Sequence, residues 1–153
     1  MRILALDVGE RRIGVAVSDP LGLTAQAHSV VARRRPETDV AAVAALVEEV
    51  EAEKVVVGLP LRLDGSEGPA AARVKEFAGE LAKAVPIPVE LFDERLTTAE
   101  AEGVLLAGDL SRRRRRQVID KVAAALILDG YLRRSGGKTK PRLPGPGHET
   151  ERT

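Results

Sequence analysis

Two short apolar runs, Ile3–Val8 and residues 13–17, are separated by a turn containing Gly9. After a third extended segment at Ala25–Ala32 the chain switches to alternating strand and helix signals. The first two runs read as a β-hairpin, and Val30 and Val31 give the third its β-branched character. Thr38 or Asp39 can then cap a helix reaching about residue 52, with Val40, Val43, Leu46, Val47 and Val50 at helical spacing. Residues 55–57 (Val-Val-Val) form a buried type of strand ended by Gly58 and Pro60. A loop over 61–68 leads into a helix at 69–84 that opens with Pro69, and residues 88–92 form a fifth strand. Thr97, Thr98 and Glu100 form a capping-box pattern for a helix to about residue 106. A last helix over 111–134 stops at Gly136 and Gly137. The order βββαβαβα plus a final helix predicts one α/β domain over residues 1–136: a five-stranded mixed sheet, its first three strands antiparallel, flanked by helices.

Size and composition narrow the function. A chain of 153 residues fits one core, because halves would bury too little surface to be stable alone. No apolar run reaches the roughly 20 residues that span a bilayer, so no membrane partner is expected. The start lacks the zones of a signal peptide and there is no cysteine, which excludes disulfides and thiolate metal sites; the expected compartment is the cytoplasm. The net charge of +1 hides an asymmetry. Residues 1–111 carry 12 Lys and Arg against 19 Asp and Glu, whereas 112–153 carry 12 against 4. The basic third, densest at Arg112 to Arg116, can attract a polyanion or simply solvate a helix face. Residues 137–153 mix Pro, Gly and charge without periodicity and are expected to be a basic, flexible tail, whose Lys138, Lys140 and Arg142 carry only an electrostatic argument. Phe77, Phe92 and Tyr131 are the three aromatic residues, too few for reading single strands by stacking. A nucleic-acid partner would therefore be recognised by backbone and shape.

Four carboxylates stand where chemistry could occur. Asp7 closes an apolar strand, and Asp93 and Glu94 close the fifth strand, positions from which open α/β sheets commonly build sites. Asp120 lies on the last helix on a stripe with Ala123, Ala124 and Ile127. Brought together, such carboxylates repel unless a cation neutralises them, and Mg²⁺ or Mn²⁺ is a hard ion suited to carboxylate oxygen and to phosphoryl displacement. Each residue also has a plainer role. Asp7 could form the turn before Gly9, Asp93 or Glu94 could be a strand-end charge, and Asp120 could pair with Arg116 at i−4. Arg11 and Arg12 could hold a phosphate or solvate the hairpin. Arg95 could bind phosphate or pair with a nearby acid, and Ser66 with Gly65 and Gly68 could approach a nucleic-acid backbone or only make the turn.

Four blocks in order, Asp7 to Asp19, Val57 to Pro69, Asp93 to Thr98 and Asp120 to Leu132, resemble the YqgF family, also called RuvX. The resemblance covers residues 1 to about 134. It implies a ribonuclease-H-like fold and a nuclease, either a Holliday junction resolvase acting on branched DNA or an enzyme maturing the 5′ end of pre-16S rRNA, a structured RNA precursor. It also implies Asp7, Glu94 and Asp120 as metal-binding catalytic acids, with Asp93 the lesser candidate of its pair. A homodimer suited to paired cuts stays open beside a monomer. Actin-like ATPases and sugar kinases share the strand-Asp-Gly opening but need a second, duplicated domain. A non-catalytic RNA-binding or assembly protein is the other reading.

Overall fold

The computed structural model describes residues 1–96, 112–134 and 142–143, and side chains within the last helix from residue 119 onward. Strands β1 (Ile3–Val8), β2 (Arg12–Ser18) and β3 (Ala25–Ala32) are followed by helix α1 (Pro36–Glu49), β4 (Lys54–Leu59), α2 (Pro69–Ala84) and β5 (Val89–Asp93). A 3₁₀ turn (Glu94–Leu96), helix α3 (Arg112–Arg134) and a two-residue strand β6 (Arg142–Leu143) complete the order. The sheet runs β3-β2-β1-β4-β5-β6. Its first three strands are antiparallel, while β4 lies parallel to both β1 and β5. β6 adds antiparallel at the β5 edge, Leu143 opposite Val89, a sixth strand beyond the five read from the sequence.

Burial explains the pattern of β1. Ile3, Leu4, Ala5 and Leu6 are all buried because β1 is central and both its faces are covered. Leu4 and Leu6 pack with Val55, Val57 and Val89 against α1 and α2, whereas Ile3, Ala5, Ala16, Val56 and Phe92 pack against Ala124, Ile127, Leu128 and Tyr131 of α3. Alternate residues of each strand therefore look toward different helices. Glu90 reaches the α3 side and is 2% exposed. It accepts a hydrogen bond from Tyr131 Oη at 2.6 Å, and Lys54 Nζ donates to the same hydroxyl at 2.7 Å while standing 3.7 Å from Glu90 Oε2.

Helix α1 starts about a turn earlier than the sequence pattern predicts. Arg35 is its N-cap and Pro36 its first residue, which suits a ring with no N–H to satisfy. Thr38 sits inside the first turn, its hydroxyl donating to Arg35 O. Asp39 is 3% exposed and accepts from Arg33 Nε and Arg34 N, each at 2.9 Å. The expected helix at 97–106, with its Thr97–Glu100 capping box, lies outside the described residues.

Candidate active site

Asp7 alternates with Ile3 and Ala5, so it belongs to the face that α3 covers, at the end where β1, β4 and β5 finish. Its register partner on β2 is Gly14. A Cβ at Gly14 would collide with the carbonyl oxygen of Asp120, so the backbone of α3 crosses the sheet directly beside Asp7. Gly58, at the end of β4, serves the same purpose: a Cβ there would stand 2.7 Å from Glu94 Oε2 and would also strike Ile127 Cδ1. Glycine at these two positions lets Glu94 and α3 approach the sheet, a role that neither residue's local sequence reveals.

Glu94 follows Glu90 and Phe92 in strand parity and reaches the α3 side, where burial pushes its carboxyl up to about 7 and the negative charges of Asp7 and Asp93 push the same way. Asp93 is held differently. Arg95 donates to it, with Nη2 2.6 Å from Oδ2, and these bonds hold its carboxyl below the usual carboxylate pKa range. Asp120 Oδ2 lies 2.5 Å from Arg12 Nε. Asp7 and Glu94 are thus brought into mutual repulsion while Asp120 contributes its backbone position and turns its carboxylate to Arg12. Among the described residues, no group of three acidic or histidine side chains stands ready to hold a metal ion.

The basic candidates divide. Arg11 is exposed in the hairpin turn and borders an open groove with Gly9, Glu10, Arg12 and Asp120. Besides pairing with Asp93, Arg95 donates to Leu63 O at 3.2 Å, tying the 61–68 loop to the site's edge. Ser66 is exposed, and its Oγ donates to Asp64 Oδ1 at 2.7 Å, closing a turn. One supporting residue escaped the sequence reading. Arg33 donates from its backbone to Arg11 O and from Nη1 to Gly9 O, each at 2.8 Å, and from Nε to the buried Asp39, so it braces the turn between Asp7 and Arg12. Its only sequence signal is a basic residue next to a helix start.

The family model described as "RuvX: Holliday junction resolvase" matches residues 1–134. The chain belongs to the RuvX family. Curated relatives of this RuvX chain include a protein of Moorella thermoacetica, 57% identical over 136 residues that cover 89% of this chain and 97% of the relative. Another, from Halothermothrix orenii, is 51% identical over 132 residues, covering 86% and 94%. Both bear the name "Putative pre-16S rRNA nuclease". Among solved structures, Thermus thermophilus RuvC in complex with a Holliday junction substrate aligns with a TM-score of 0.59 at 20% identity, covering 92% of the RuvX chain and 99% of RuvC. A second structure of that protein gives 0.53 at the same identity and coverage. At that identity the likeness establishes the fold, the ribonuclease-H-like arrangement. No helix among the described residues is long and apolar enough to cross a membrane.

Proposed function

We propose that this chain is a divalent-metal-dependent endonuclease that hydrolyses phosphodiester bonds, acting in the cytoplasm on the 5′ end of pre-16S rRNA during ribosome biogenesis. The observation that carries the reading is the half-buried meeting of Asp7 and Glu94, where burial first and the charge of Asp7 second raise Glu94 to about 7, beneath a helix that carries Asp120 past the same point. The names borne by relatives at 51% and 57% identity support the RNA substrate. An all-oxygen set in which two carboxylates repel fits a hard cation, Mg²⁺ or Mn²⁺. Asp7, Glu94 and Asp120 would hold it. When bound, such an ion supplies positive charge to the phosphoryl oxygens of an in-line displacement.

The protein's own groups do the rest. Asp7 is fixed by its ladder pairing with Gly14, and Glu94 by the packing that Gly58 permits. Arg11 and Arg12 offer guanidinium donors to a phosphate along the groove, and Ser66 and Arg95 take the flank across the loop that Arg95 ties down. The basic segment 137–153 would add non-specific attraction to the nucleic-acid backbone through its charge.

A second reading, a resolvase acting on four-way DNA, has its own support in the family description and in the likeness to RuvC solved on a junction. One experiment separates the readings. Purified protein with Mg²⁺ or Mn²⁺ is given a 5′-extended 16S precursor and a four-way junction, alongside Asp7→Asn, Glu94→Gln and Asp120→Asn. Cleavage of the RNA that all three changes abolish is the expected result. Preference for the junction favours the second reading, binding without cleavage favours a non-catalytic protein, and cleavage that survives all three removes the proposed site.

A further inference from the structure

The backbone and the side chain of Asp120 point to different partners. Its main chain lies against Gly14, the register neighbour of Asp7, which sets it over the acidic end of the sheet. Its carboxylate turns instead to Arg12, 108 residues away in sequence. The two side chains are 28% and 24% exposed, and both border the groove that begins at Gly9. A guanidinium placed there neutralises Asp120 as a cation would, and Arg12 cannot easily follow the helix, because the turn that carries it is held by Arg33. The planar fork of arginine suits carboxylate and phosphate equally, so exchange of one for the other costs little geometry.

We propose that Arg12 is a latch: it competes with a divalent cation for Asp120, and when displaced its guanidinium is free to hold a substrate phosphate in the same groove. This rests on the metal-dependent nuclease reading above. A cation that takes Asp120 must first break the ion pair, and by linkage, nucleic acid that captures Arg12 makes Asp120 easier for the cation to reach. Metal and substrate then bind cooperatively through a single residue. Arg12 acts here as a positioning residue, so its signature is in binding as well as in turnover.

The test is a calorimetric Mn²⁺ titration of the full chain in four forms: wild type, Arg12→Gln, Arg11→Gln and Asp7→Asn. Arg11 is the natural control, since it is adjacent, exposed and equally charged, and its loss alters the local field without touching Asp120. Arg12→Gln should bind Mn²⁺ about threefold to tenfold more tightly than wild type, the range expected for removing one partly shielded ion pair, while Arg11→Gln stays within about twofold. Arg12→Lys, which keeps the charge without the fork, should fall between and serves if the Gln variant does not fold. The gain in affinity for a 5′-extended rRNA fragment on adding Ca²⁺, read by fluorescence anisotropy, should be smaller in Arg12→Gln than in wild type. Equal Mn²⁺ affinity in Arg12→Gln and wild type, or a shift that Arg11→Gln reproduces, overturns the latch while leaving the nuclease reading intact. Mn²⁺ binding that Asp7→Asn does not weaken overturns both.

Discussion

Glu90 and Glu94 stand four residues apart, on and just beyond β5, and both reach the side of the sheet that α3 covers. Their surroundings are opposite. Glu90 is enclosed with a cation and a hydroxyl, Lys54 and Tyr131, so its charge is answered inside the protein. Glu94 is enclosed with carboxylates, and burial together with Asp7 and Asp93 makes its charged form costly. The same helix thus closes over a satisfied cluster at one end and a repelling one at the other. The first holds strand to helix, and the second is stabilised by whatever brings positive charge to it.

The sharpest way to break this contrast is to neutralise the repelling end. Glu94→Gln should reduce metal-dependent cleavage by about 10³-fold, ~4 kcal/mol on the barrier, while leaving the melting temperature unchanged or higher, because it removes repulsion without opening a cavity. Lys54→Met tests the other end. It should cost about 3 kcal/mol in denaturant unfolding, since Glu90 would remain buried without its cation, and should leave the cleavage rate per folded molecule unaltered. A matching loss of cleavage would mean that the two ends are not separate.

A pH titration of stability distinguishes them next. Glu94 binds its proton more readily folded than unfolded, so the stability tied to that proton is complete below about 4.5 and is lost as pH rises through about 7. The metal-free protein should lose ~2 kcal/mol across that window, allowing for the part of Glu94 that water reaches, and Glu94→Gln should flatten the slope. Asp39→Asn gives the smallest effect, about 1 kcal/mol in unfolding, with KM rising more than kcat falls, because Arg33 would then brace the Asp7–Arg12 turn less firmly.

What the sequence discloses follows from the range of the interactions involved. β1, β2 and β4 are legible because central strands must be apolar along their length, and Asp7 is conspicuous as the charge that ends such a run. The start of α1 is misread because Arg35 caps it through no preferred side chain, while Thr38 and Asp39, good caps by type, serve inside the first turn and in a buried ion pair. β6 is two residues long, too short for any periodic signal. The site divides along the same line. Asp7, Glu94 and Asp120 can each be singled out from their local setting. The reasons for Gly14 and Gly58, and the Arg12–Asp120 pair, depend on contacts made across the fold, with no local pattern to announce them.

In the proposed nuclease, Asp7 is part of a catalytic metal site and not merely a turn residue. The direct measurement is the single-turnover cleavage rate of a 5′-extended 16S precursor in Mg²⁺ by Asp7→Asn, taken beside wild type at equal folded concentration. Loss of cleavage with an unchanged unfolding transition is the predicted result. Cleavage by Asp7→Asn at the wild-type rate would contradict the assignment of the acidic end of this sheet as the active site.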